Sequence, residues 1–282
     1  MAGAASVEAW SGKDRGDENF PVGSRLIRRA LRPHVHAYYL FARNADDIAD
    51  SATLAPAEKI ARLDRMEAVL LGQAADGSDS AARLRLSLAE TGVTPRHATD
   101  LLIAFRQDAL KSRYASWAEL YDYCRFSAMP VGRYLLDLHG ERAGTHPGSD
   151  ALCTSLQVLN HLQDCAADLR AMDRCYLPQD VMARHGVEMA ALHAGQASAG
   201  LRAVLDDLLD ECAALNDVAG SLAPRCRSRG MRLEAATIVG LARRLTARLR
   251  REDPLATRVK LRRGDFVGAL LGALRHVRAS RA

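Results

Sequence analysis

Apolar residues recur at three- and four-residue intervals along almost the whole chain, and clean two-residue alternation is scarce. The pattern predicts helices over about 24–31, 33–50, 57–71, 78–91, 95–111, 116–139, 149–169, 199–219, 230–251 and 264–279. Glycine, proline and small polar residues punctuate it at Pro33, Pro56, 75–79, Pro95, 143–149, Pro178 and 221–224. Thr94-Pro95 and Ser149-Asp150 read as helix starts, and Pro130, inside a strong helical pattern, predicts a kink. No linker is long enough to separate domains and no repeat has a fixed period. The expectation is one all-α domain over 1–282, a helical bundle with a central apolar cavity and a flexible segment at 1–16.

Two of these helices carry polar groups where an apolar stripe would serve burial better. In "SLQVLNHLQDCAADLR" (155–170), Asn160, Asp164 and Asp168 stand four apart. Successive members rise about 6 Å along one face. Gln157 lies a turn earlier on nearly the same face. In "YYLFARNADDIADS", Asp46 and Asp50 are again four apart, while Asp47 points to another side. Carboxylates stacked this way repel one another unless a cation offsets them. The natural cation is magnesium, a hard ion that takes oxygen ligands and keeps positions for water or phosphate. Surroundings poor in cysteine and histidine argue against zinc. A solvated acidic patch has the same spacing. The apolar neighbours Leu156, Val158, Leu159 and Leu162, with Tyr38, Leu40, Phe41 and Ile48, weigh against that bland reading.

Composition narrows the class. Of 282 residues 48% are hydrophobic and 26% charged, enough for a sizeable core in an ordinary water-soluble chain. The net charge of +5 is mostly arginine, much of it after residue 225, which suits an anionic ligand, a membrane surface or simply a solvated basic face. Six cysteines without CxxC spacing read as reduced thiols of a cytosolic protein. The N-terminus lacks the apolar core of a signal peptide, and no apolar run approaches the roughly twenty residues that cross a bilayer. The chain is expected in the cytoplasm, at most peripheral to the inner face of the membrane. It has no GxxxxGK[ST] loop, no GxGxxG after a strand and no nucleic-acid motif, so a P-loop nucleotide, a Rossmann cofactor and nucleic acid are not expected. What remains coherent is a magnesium diphosphate held between helices, with its organic part in a dry apolar cavity.

The stretches "YLFARNADDIAD" and "QVLNHLQDCAADLRAMDRCYLP", with "YDYCRFSAMPVGRYLL" (121–136) between them, resemble the paired aspartate-rich motifs and central kinked helix of the squalene and phytoene synthases. The resemblance covers roughly 17–270 and implies the isoprenoid-synthase bundle. Within the family, "DENFPVGS" (17–24) and "NHLQDC" (160–165) look most like bacterial hydroxysqualene synthases of hopanoid biosynthesis. Head-to-head condensing members usually have arginine where Gln163 stands.

The resemblance implies that Asp46, Asp50, Asn160, Asp164 and Asp168 hold Mg2+ and diphosphate, and that Arg43 contacts the diphosphate. It places Tyr39 near the leaving group, Tyr123 on the central helix, Gln157 at the cavity wall and Tyr176 against the substrate, with Tyr39, Arg43, Tyr123 and Gln157 expected to be catalytic; Met129, at the expected kink, and Gln163 are expected against the substrate by position. Arg43 as a partner of Asp47, and Tyr39 or Tyr123 as core tyrosines, are the plain alternatives. The implied reaction is magnesium-assisted ionisation of presqualene diphosphate, rearrangement and water capture to hydroxysqualene. Arg125, Ser127 and Gln163 are positional candidates for holding that water. The rivals are a condensing synthase making presqualene diphosphate or a phytoene-type product, and an inactive scaffold relative. Expected partners are the prenyl diphosphate and neighbouring squalene-pathway enzymes. The segment "GDFVGALLGALRHVRASRA" (264–282), apolar on one face and basic at its end, is expected to be the last bundle helix, with membrane contact as the other reading.

Overall fold

The computed structural model describes residues 6–8 and 27–279, and backbone alone for the last few of these. Residues 1–5 and 9–16 of the segment expected to be flexible, the stretch 17–24 and the start of the helix expected at 24–31 lie outside the described residues. Among the described residues there are twelve α-helices: α1 Arg32–Asp50, α2 Pro56–Leu70, α3 Asp79–Thr91, α4 Arg96–Asp108, α5 Trp117–Ser127, α6 Met129–Leu138, α7 His146–Met172, α8 Gln179–Arg184, α9 Ala199–Ala219, α10 Leu222–Arg225, α11 Arg229–Leu249 and α12 Arg263–Ala279. There is no strand among the described residues, so the fold is all-α.

Local chemistry sets most boundaries. Ser78, Ser116 and Ser198 cap α3, α5 and α9, each hydroxyl accepting from a backbone N–H three residues on. Gly92 ends α3 in the left-handed conformation at φ 71°. The helix expected over 116–139 is two helices. Ala128 leaves helical geometry (φ −128°, ψ −49°), and Pro130 stands in the first turn of α6, where its missing N–H is no loss. The expected kink is therefore a full break. Likewise α7 starts at His146, three residues before Ser149, with proline in its first turn. The short helices α8 and α10 span too few residues for periodicity to show.

Helix α7 is the central element, packing against α5, α6, α9 and α11. Two apolar clusters flank it. One joins α1–α4 to Tyr134 and Leu138 of α6, and the other joins α5 and α7 to the C-terminal helices. A cavity of about 400 Å3 lies between them, walled by α1, α4, α6, α7, α10 and α11. Close packing of α6 on α7 depends on Gly132: a Cβ there would meet Ser149 Oγ and Cys153 Sγ well inside contact distance.

Candidate active site

The cavity wall is made by two stripes that run into acid. On α7 it takes Ser149, Leu152, Cys153 and Leu156, and the four-residue step onward reaches Asn160, Asp164 and Asp168. On α1 it takes Val35, Tyr38, Tyr39, Ala42, Arg43 and Asp46, and the next step reaches Asp50. Each helix thus supplies apolar wall below and carboxylates above.

The carboxylates crowd one another. Asp168 is pushed up to about 7, first by burial and then by the charges of Asp164 and Asp50, against the pull of Arg174 and Arg258. The Asp50 contribution means that α1 and α7 present their acids to the same space. Asp46 is also raised, by burial first and by Asp50 next, with Arg43 opposing. Three arginines hold the rim. Arg43 bridges Asp46 at 3.2 Å and Asp47 at 2.6 Å. Arg174 reaches Asp50 at 2.8 Å. Arg258 grips Asp164 with both Nε and Nη2 at 2.6 Å.

Beside the rim lies a buried polar network. Asp108 accepts from Tyr123 at 2.7 Å and from Tyr176 at 3.4 Å, and burial pushes its carboxyl up to about 7, with Arg174 pulling the other way. Arg174 also donates to the Tyr176 hydroxyl and to the Asp108 carbonyl. His161 stacks on Tyr176 at 3.5 Å, and its Nε2 has no hydrogen-bond partner among the described residues. Burial, then Arg174, pushes this imidazole down to about 3, so it is neutral. The backbone explains how Arg174 arrives. Helix α7 ends at Asp173 in a left-handed turn (φ 49°), whose carboxylate Arg113 holds at 2.5 Å. The chain then turns back toward α1.

Of the residues singled out from the sequence, Tyr39, Arg43 and Asp46 line the cavity. Asp50, Asn160, Asp164 and Asp168 continue the two stripes beyond it. Tyr123, Met129 and Tyr176 are buried, and none of them, nor Gln157, is in the cavity wall. Gln163 is buried as well, its amide Nε2 donating to the Val259 carbonyl at 2.5 Å. Among the groups named for holding water, Arg125 is exposed and pairs with Asp122, Gln163 serves Val259, and Ser127 Oγ is buried beside the Cys124 thiol. Asp108, Arg174, Arg258 and His161 were not singled out. Asp108 has no second acid at helical spacing, and Arg258 sits in a basic run that reads as solvated. Only the Arg-x-Tyr order after α7 offered a signal.

The donor set can be tested against a magnesium ion. It is oxygen-only, anionic, repulsive within itself and neutralised by arginine, which fits a hard cation. Among the described residues no three carboxylate, histidine or cysteine side chains converge closely enough to hold an ion alone. A cation here would complete its shell with water and phosphate oxygens.

The profile of the squalene/phytoene synthase family matches residues 13–265. The hydroxysqualene synthase of Rhodopseudomonas palustris is 45% identical over 270 residues, 96% of this chain and 92% of that one. That of Sinorhizobium fredii is 43% identical over 266 residues, 94% and 91%. The crystal structure of squalene synthase HpnC from Alicyclobacillus acidocaldarius superposes with a TM-score of 0.73 at 30% identity, covering 84% of this chain and 90% of that one.

Proposed function

This chain belongs to the squalene/phytoene synthase family, and on that premise we propose that it converts presqualene diphosphate and water to hydroxysqualene and diphosphate. The observation that carries the reading is the 43–45% identity to hydroxysqualene synthases over more than nine-tenths of both chains. Two stripes that change from apolar wall to acidic rim suit a substrate with a diphosphate at one end and hydrocarbon at the other.

In this reading Asp46, Asp50, Asn160, Asp164 and Asp168 hold Mg2+, which when bound neutralises the diphosphate and assists its departure. The residues of the chain do the rest. Arg43, Arg174 and Arg258 orient the phosphate oxygens once these displace their carboxylate partners. The C–O bond to the diphosphate breaks and the leaving group takes the electron pair. Tyr38, Tyr39, Phe105 and Tyr134, all in the cavity wall, keep bulk water away from the resulting cyclopropylcarbinyl cation. The ring rearranges and opens, one water oxygen bonds to the cationic carbon, and its proton leaves to solvent or diphosphate. No electrons are gained, so no hydride donor is required.

The test is a product assay on purified protein with Mg2+ and without NADPH. Presqualene diphosphate is supplied in one reaction and farnesyl diphosphate in another. Hydroxysqualene from the first alone is the expected result. A cyclopropyl diphosphate or a head-to-head hydrocarbon from the second would move the chain to a condensing step. No product in either, from folded protein, would return it to a scaffold role.

A further inference from the structure

Helix α12 is packed inside out relative to an ordinary surface helix. Its small residues face inward: Ala269 and Ala273 are buried, Ala269 lies against Gly240 of α11, and Gly268 lies against the Arg244 guanidinium. Its large apolar residues face outward. Phe266 is 37% exposed, Val267 59%, Leu270 39% and Leu271 51%. These four form one continuous helical stripe at steps of one, four and five residues. A soluble surface normally leaves large apolar side chains scattered, and a contiguous stripe of four marks a contact face.

The charge around the stripe is one-sided. From Thr257 to the C-terminus the sequence has seven Lys or Arg and a single acid, Asp265. That acid is neutralised by Arg248 at 2.8 Å and by the Arg262 backbone N–H. Lys260, Arg262, Arg263 and Arg275 are exposed at the two ends of the stripe, and Arg262 lies 3.7 Å from Glu252, which Arg248 also holds at 2.9 Å. An apolar face framed by cations complements an anionic bilayer, where the large side chains enter the acyl boundary and the cations meet the headgroups. A protein partner would need acidic groups placed to match; a lipid surface needs only the stripe and the sign of the charge.

We propose that the outer face of α12 docks this protein on anionic phospholipid membrane. The face and its charge stand without the reaction assigned above. That reaction gives the docking a use, since both substrate and product are hydrocarbon-rich. The same segment connects docking to the rim: five residues before α12, Arg258 holds Asp164, and Val259 accepts from Gln163.

The experiment is co-sedimentation of the full chain with vesicles of phosphatidylcholine alone and of phosphatidylcholine with phosphatidylglycerol. Tight binding only to the anionic vesicles, weakened by salt, is expected. Phe266→Ser/Leu270→Ser/Leu271→Ser should lower the bound fraction at least about tenfold, and Arg262→Gln/Arg263→Gln should abolish the anionic preference. Both variants should turn over detergent-solubilised substrate at the parental rate, so a failed reaction assignment leaves the vesicle result readable. Absence of binding to anionic vesicles, or equal binding by the triple variant, overturns the proposal. So does a concentration-dependent dimer that the triple variant abolishes, which would assign the face to a second copy of the chain.

Discussion

Arg258 holds Asp164 by two parallel hydrogen bonds of 2.6 Å across 94 residues of sequence. The adjacent residues repeat the connection, Gln163 donating to the Val259 carbonyl. The C-terminal segment is therefore pinned to α7 at the acidic rim, and a guanidinium holds the Asp164 carboxylate that the family resemblance assigns to the cation.

Arg258→Gln separates structure from function. The pair is partly exposed, 41% and 26%, and such pairs contribute about 0–1 kcal/mol to stability. The melting temperature should therefore stay within a few degrees. Turnover of presqualene diphosphate should fall about ten- to a hundredfold in kcat/KM, because the guanidinium proposed to orient the phosphate oxygens is lost. Parental steady-state kinetics would remove Arg258 from the site.

Asp46→Ala and Asp164→Ala, one on each acidic helix, should each lower turnover by about a thousandfold or more while circular dichroism is unchanged. Near-parental activity in either variant would show that the rim is not the reacting centre.

The acids also set a pH dependence. Asp108 and Asp168 hold protons up to about 7 in the folded chain, and Asp46 is raised too. Unfolded aspartates lose their protons near 3.9. The folded state binds more protons across this interval, so the contribution of these groups to stability falls as pH rises through it. His161 acts in the opposite sense, because its folded form stays neutral down to about 3, and His139 is lowered as well. That opposition ends near the ordinary histidine value of about 6.5. In EDTA the melting temperature should therefore decline from about pH 6.5 to 8.5. Millimolar Mg2+ should flatten the decline by replacing the protons with a cation. Scanning fluorimetry at both conditions reads this directly, and a profile indifferent to Mg2+ would contradict it.

Gly132→Ala tests the α6–α7 contact at the cavity wall. The added methyl must displace Ser149 and Cys153 side chains from a tightly packed seam. Overpacking of this kind costs about 1–3 kcal/mol, to be read from urea unfolding. An unchanged midpoint would mean that both side chains rotate away freely.

Much of the architecture was legible from local pattern. The stripes of α1 and α7, their four-residue acidic steps, and the order of the long helices follow from periodicity, which depends only on neighbours along one helix. The irregularity expected at Pro130 is present, but as a one-residue interruption at Ala128 that divides the helix expected over 116–139; proline inside a pattern and proline opening a new helix look alike until Ala128 shows its dihedrals. Helices α8 and α10 were too short to carry a period.

That an amide and carboxylates line up on two apolar helices follows from helical spacing alone and is readable along the chain. Which groups answer them depends on how distant segments pack. Arg174 reaches Asp50 because Asp173 turns the chain back, Asp108 is drawn into a tyrosine pair from the end of α4, and Arg258 arrives from beyond α11. Arg174, Tyr123, Tyr176 and Arg258 lie 124, 15, 68 and 94 residues from the aspartates they bond. Charge pairing acts through space, so no spacing along the chain announces it.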